Sequence, residues 1–464
     1  MGKQVEKLAE FAHAMQWDDI PEHVRQQGKL VFLDTLGVIL AGSERPEVGQ
    51  LRQRLAATAG NGATLYARGF ATQDPRSAAL LNGIAGRAIE LCEGLRLVSG
   101  QAAMQVIPAV LAVGESALST GREIVTSLIL GYEVAGRMCS AFTARAFAHQ
   151  NGQASLLGAA AAGARLRGLD ARQLSLAMRI ATTQLLTPSY TNTVTGATTL
   201  NVAGGMSGFV GALAPELVLA GFEAQEDAIE EALGKMVGEG FRPEFLLDEL
   251  GTRWQISHNY FRLYACCNPI HPALDCLKEI LVQTRPRPED IERIEVATYR
   301  FASIMRNPRP PNFFAARYSL PHAAAVMAVK GNIGHSAMDD AAVHDPDIHA
   351  LRQRVHVTED PAMSAVVPLQ RPARVTVTLK NGRSDTRACE SHRGDFNDPF
   401  AESEIRDKFR ELAGLVLTPE GVAVTETLVN CIEEWTSVRE LTEALRHHER
   451  GGFARDQGSG AGVN

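Results

Sequence analysis

The chain has 464 residues, 45% of them hydrophobic and 21% charged. That is an ordinary globular composition, long enough for about two to four domains and for a large core built without disulfides or metals. A formal net charge of -7 with no long basic run argues against nucleic acid as a partner.

The start, Met1 to Lys7, holds no apolar signal core, which predicts a cytoplasmic protein. The apolar stretches Ala154 to Ala164 and Val202 to Pro215 read as too short and too glycine-broken to span a bilayer. The seven cysteines, at 92, 139, 266, 267, 276, 389 and 431, form no C-x-x-C pair and no zinc or iron–sulfur spacing. No cofactor or metal is expected.

Residues 1 to about 265 read as mostly helical. Pro21 to Ala41 has a helical apolar period with proline at its start. Ser77 to Cys92 and Ser155 to Leu166 are rich in Ala, Gly and Leu, which predicts helices that pack closely. Asp170 stands where a helix N-cap is wanted. The pattern changes near residue 268. Asp275 to Thr284 reads as a helix that Arg285 to Pro288 breaks, and Ile291 to Tyr299 alternates like a strand. Helices are expected at Pro321 to Lys330 and Asp345 to Arg354. Arg374 to Lys380 is the clearest strand, Asn381-Gly382 a hairpin turn, and a partner strand follows near Ser384 to Ser391. From Ala401 the chain turns helical again, and the Gly-rich stretch 451–464 reads as a disordered tail. The expected architecture is therefore two-domain: a large all-α domain built from both chain ends (1–267 and 401–450) and a smaller inserted α+β domain (268–400).

Several segments, in this order and spacing, carry a family resemblance: KLVFLDTLGVILAGS from residue 29, LNGIAGRAIELCEG with VIPAVLAVGE, LILGYEVAGRM with HQNGQASLLGAAAAGARLRGLD, ACCNPIHPALD, and ARYSLPHAAAVMAVKGNIG with RVTVTLKNG and GDFNDPF. Together they resemble the MmgE/PrpD family, whose members include dehydratases, decarboxylases and epimerases. The resemblance implies a homodimer with a cofactor-free site between two domains. It implies small di- or tricarboxylate substrates and one shared step, removal or return of a proton beside a carboxylate. Such a step needs cations to hold carboxylates and a base tuned toward neutral pH.

Carried over residue by residue, the resemblance nominates the following positions. Glu90 stands at the first Asp of the family's Asp-x-Asp-Asp-Thr motif, and Glu93 lies near its last Asp. Read as helical, 90 and 93 share a face, and Arg96 is placed to pair with Glu93. The functional reading is a carboxylate that orients a base or binds substrate; the structural one is a solvated charge cluster. Gln101 stands where the family has a histidine, and glutamine carries no proton at neutral pH. His149 matches a loop histidine leading into a helix N-terminus, where His149, Asn151 and backbone N–H groups would hold a carboxylate. It is the first base candidate, against a purely structural loop histidine. Leu200 and Ala203 stand where a lysine and a histidine are common, which deletes a cation.

Arg262 aligns with a lysine. It is a carboxylate clamp that cannot act as a base, or else a surface arginine, and Tyr264 and Asn268 lie near it. Cys267 stands at a histidine position and otherwise fills space. His271 is a site residue or the start of a helix. His322 is the second base candidate, and two histidines on opposite faces of a carbon would suit epimerisation. The favoured reading is a lyase or isomerase, epimerase-like ahead of dehydratase or decarboxylase. The alternative is an inactive homologue that keeps the fold and a carboxylate pocket, favoured by Gln101, Leu200 and Ala203.

Overall fold

Among the described residues the chain opens with the α-helices α1 (Gly2–Ala14), α2 (Glu22–Gly42), α3 (Pro46–Leu55), α4 (Pro75–Ala88), α5 (Ala103–Ala117), α6 (Gly121–Ala141), α7 (Ala154–Leu166), α8 (Ala171–Ala181), the short α9 (Thr191–Thr195) and α10 (Leu200–Leu219). The computed structural model describes residues 2–55, 62–98 and 100–451. The stretch read as a disordered tail lies, from residue 452, outside the described residues.

Local chemistry sets the helix starts. Asp74 accepts the N–H groups of Arg76 and Ser77 just ahead of Pro75. Thr120 and Glu123 form a reciprocal capping box on α6. Asp170 caps α8, accepting the Gln173 N–H at 2.8 Å.

Small residues then bring helices together. A Cβ added at Gly158 on α7 would lie 2.2 Å from the Gly131 carbonyl oxygen of α6, and one at Gly163 would lie 2.0 Å from that of Gly211 on α10. No side chain larger than hydrogen fits at either contact. The core made this way is broad, and α5, α6 and α7 are buried almost all round.

Two expectations are corrected here. The stretch from Val202 to Pro215 belongs to a 20-residue helix, α10, which is long and apolar enough by length and composition to cross a membrane. Its packing against α4, α5, α7 and α8 is that of a core helix. The helix expected to reach Cys92 stops at Ala88, because the next residues are drawn into the polar cluster described below.

The α+β part is built on a four-stranded sheet in the order Ser384–Cys389, Ala373–Leu379, Ile291–Thr298, Val355–Glu359. The first two strands form the expected hairpin, with Gly382 at φ +85° in its turn. The fourth strand runs parallel to the third. It was not expected: only Val355 and Val357 of its five residues face inward, too brief an alternation to stand out. The helix His271–Thr284 covers this sheet, and Leu320–Lys330 packs beside it.

The closing helices Glu402–Ala413, Pro419–Asn430 and Arg439–His447 return to α2 and its neighbours. Two large hydrophobic cores result, with a small third one around Ala63, Leu65, Ala79 and Val113. One of the large cores gathers Val5 to Phe261 with Ile405 to Leu445. The other gathers the sheet and its helices, together with Ile89, Leu91, Cys92, Met104 and Leu200. The segment 89–92 thus forms a wall between the two large cores.

Replacing Gly158 with Ala forces a methyl group into the Gly131 carbonyl. Unfolding free energy in urea is expected to drop by about 1–3 kcal/mol; an unchanged midpoint would mean that α6 and α7 separate without cost.

Candidate active site

Helix α4 carries Arg87 on its last turn, and Arg87 is fully buried. Two residues past the helix, Glu90 adopts φ +53°, a left-handed conformation that disfavours residues with a side chain. What holds it there is charge. Arg87 donates to one carboxylate oxygen, which also accepts the Tyr318 hydroxyl at 2.8 Å. Arg262 donates to the other at 2.5 Å and to the Glu90 carbonyl at 3.1 Å. Arg87 also donates to the Tyr318 hydroxyl, and Arg262 to that of Tyr260 at 3.1 Å. Burial pushes the Glu90 carboxyl up, but Arg87 and then Arg262 outweigh it and hold the group at about 2.

His149 sits beside this cluster. The charges of Arg87, Glu90 and Arg262 all act on its ring, which is buried. Burial first, then Arg87 and Arg262, push it down to about 3, so the ring is neutral at physiological pH. The Asn151 N–H donates to Nδ1 at 3.2 Å, which puts the proton of the neutral ring on Nε2. Tyr190 stacks on the imidazole at 5.6 Å, with 14° between the ring planes.

The remaining nominated residues divide. Cys267 borders the cluster, and burial pushes its thiol up to about 12, which leaves it protonated and inert. Gln101 donates to Cys92 at 3.2 Å, and Cys92 in turn feels Arg262, Arg87 and Glu90.

Glu93 is buried off the helix rather than sharing a helical face with Glu90, and it accepts the Ala103 N–H at 2.9 Å and the Tyr132 hydroxyl at 2.5 Å. Burial raises it to about 7. The pairing of Glu93 with Arg96 is corrected: Arg96 is bound to Asp395 at 2.5 Å and to the Pro368 carbonyl. Tyr264 turns away to Asp275 at 2.7 Å. His271 is the first residue of its helix, with Nε2 3.1 Å from the Cys266 carbonyl. His322 is not brought to the cluster. Its Nδ1 accepts from Arg352 at 3.1 Å, and the charges acting on it are Arg352, Arg317 and Lys330. Leu200 and Ala203 are buried apolar wall residues.

Sequence reasoning missed Arg87, Tyr318, Tyr260 and Tyr190. For Arg87 a signal existed: an arginine in the small-residue run GIAGRA is as conspicuous as the neighbouring Glu90. Tyr318 precedes the singled-out His322 by one helical turn and carries no signal of its own.

Several buried polar atoms in this region have no hydrogen-bond partner in the protein: Gln101 Oε1, both amide atoms of Asn151 and of Asn201, the Tyr190 hydroxyl, and Nε of Arg87 and of Arg262. Native proteins rarely bury such groups unsatisfied. Among the described residues, no three His, Cys, Asp or Glu side chains gather in a group that would hold a metal. The open cleft of about 240 Å³ lined by Arg242, Arg253 and His258 meets this region only at Arg96.

The fold and the cluster define a two-domain protein with a buried cluster of two arginines, a glutamate and tyrosines, and a neutral histidine beside it, next to the segment between its large cores. The chain belongs to the MmgE/PrpD family: the family's N-terminal domain matches residues 6–243 and its C-terminal domain residues 264–434. It is 23% identical to a cis-aconitate decarboxylase of Aspergillus terreus over 95% of each chain. It is 22% identical to the cis-aconitate decarboxylases of Mus musculus and Homo sapiens, over 95% of this chain and 93% and 94% of theirs.

Removing the Glu90 carboxylate leaves two arginines buried and unbalanced. Glu90→Ala is expected to lower unfolding free energy by about 3–5 kcal/mol in chemical denaturation; a loss under 1 kcal/mol would mean that water or another acid already neutralises them.

Proposed function

We propose that the chain is an enzyme of the lyase or isomerase class that moves a proton next to a carboxylate on a small di- or tricarboxylate. The observation that carries this reading is a neutral, buried His149 beside two arginines that share one glutamate. In this reading Arg262 and Arg87 hold a substrate carboxylate, and their buried Nε atoms, which have no acceptor in the protein, are free to donate. Glu90 fixes the arginines and keeps their charge in place. His149 handles the proton. In this reading Nδ1, the nitrogen with the lone pair, takes the proton from the carbon beside the carboxylate once the Asn151 N–H releases it, Nε2–H donates to the oxyanion that develops, and the imidazolium gives the proton back from Nδ1.

Arg262 and Glu90 act on both His149 and His271, but Nε2 of His271 is tied to the Cys266 carbonyl at 3.1 Å, which leaves His149 as the proton carrier and favours a reaction with one such carrier, as in decarboxylation with proton return. It weighs against the two-histidine epimerisation that His322 would have served, since His322 pairs with Arg352 instead. The relatives named as cis-aconitate decarboxylases point the same way. The homodimer and the division of the chain at residues 268 and 400 belong to the same reading; the two large hydrophobic cores support the division.

The second reading, an inactive homologue, is favoured by the apolar Leu200 and Ala203 and by Gln101. Incubation in heavy water with a panel of di- and tricarboxylates, followed by NMR, separates the two. Deuterium is expected at a carbon beside a carboxylate; protein-independent spectra across the whole panel would leave only the inactive homologue.

His149→Ala is expected to lower kcat by about 100-fold or more with little change in KM. Equal loss in binding and turnover would make His149 a substrate holder. Because its pKa lies at about 3, kcat/KM is expected to stay flat from pH 8 down to 5 and to fall only below that. A limb near pH 7 would transfer the role to Glu93, the buried acid that titrates at about 7.

A further inference from the structure

The cations near Glu90 are arginines, and Arg317 is one of them, donating to the carbonyls of Ile89, Ala265 and Met338. Arg87 and Arg262 share Glu90, which leaves one net positive charge. Arg371 adds another: its guanidinium donates to Asn268 Oδ1 at 2.5 Å and to the Arg96 carbonyl at 3.0 Å, both neutral acceptors, and it acts on the buried Tyr299 and Tyr260. The charge of Arg96 is met by Asp395.

The other side of the site is built from amides. Gln105 ties three elements together there: it donates to the Gln101 carbonyl at 2.8 Å, and its Oε1 accepts the Gly152 N–H at 3.0 Å and the Ser207 hydroxyl at 2.9 Å. These bonds gather the residues before α5, the loop ahead of α7 and the first turns of α10. Each of the three contributes a buried carboxamide with unpartnered atoms: Gln101 at 3% exposure, Asn151 at 0% and Asn201 at 2%. The wall residues beside Asn201, Leu200 and Ala203, are apolar.

We propose that Gln101, Asn151 and Asn201 form a subsite for an uncharged hydrogen-bonding arm, a carboxamide or a hydroxyl, on a substrate whose two other arms are carboxylates. This rests on the reading of the arginine cluster as a carboxylate site. A carboxamide presents both a donor and an acceptor and so pairs with other carboxamides in both senses. A carboxylate presents acceptors alone, and setting it against amide oxygens without a cation leaves a buried charge uncompensated. The arginines meet the carboxylates, and the remaining arm meets neutral partners.

The test is calorimetric titration of the full-length protein with tricarballylate, its terminal monoamide and succinate. The monoamide is expected to bind at least tenfold tighter than tricarballylate. Tricarballylate binding equally or more tightly overturns the uncharged subsite and leaves the carboxylate reading standing. Absence of binding by all three overturns the carboxylate reading and the subsite with it. In Asn151→Leu the preference for the monoamide over tricarballylate is expected to fall toward unity. A preference unchanged in that variant would remove Asn151 from the subsite. The comparison of ligands on the unaltered protein stands whether or not the variant folds.

Discussion

Two arginines sharing one buried carboxylate hold this site together. Arg87 comes from the end of α4, Arg262 from the segment that leads into the second core, and both converge on Glu90 between them. Tyr318 joins from the α+β part through the same oxygen. Burying three charges is costly unless each is met by a partner of opposite sign and by hydrogen bonds. Here the pairings hold Glu90 in a left-handed backbone conformation and end α4 early. The same interaction sets the wall between the two large cores.

The consequence for chemistry is a histidine that stays neutral. His149 lies in a dry setting next to a net positive charge, and both effects disfavour its imidazolium. An anionic substrate that settles between the arginines and this ring would offset their repulsion of a proton. The proton affinity of His149 would then rise on binding, which ties proton transfer to the presence of substrate. Cys267, by contrast, is held as a thiol by burial and offers no nucleophile.

Much of the fold was legible because it depends on local chemistry. The capping residue Asp170, the small-residue helices and the hairpin at Asn381-Gly382 each follow from the properties of a few neighbouring residues. Part of the candidate site was legible through the family resemblance. Glu90, His149, Arg262 and Cys267 do meet in one neighbourhood. One reading that failed assumed that sequence neighbours stay neighbours. Glu93 and Arg96 were set together by helical spacing, yet the helix had already ended. Arg96 instead finds Asp395, 299 residues away.

By itself the sequence determined the helical periods, the strand alternation, the family and the set of ionisable groups at hand. Those are properties of side chains and their near neighbours, written directly in their order. Which acid each arginine meets, where α4 stops, and that His322 belongs with Arg352 rather than with His149 were decided only when the chain packed. A buried charge takes whichever partner the close approach of distant segments supplies, and no local pattern specifies that approach.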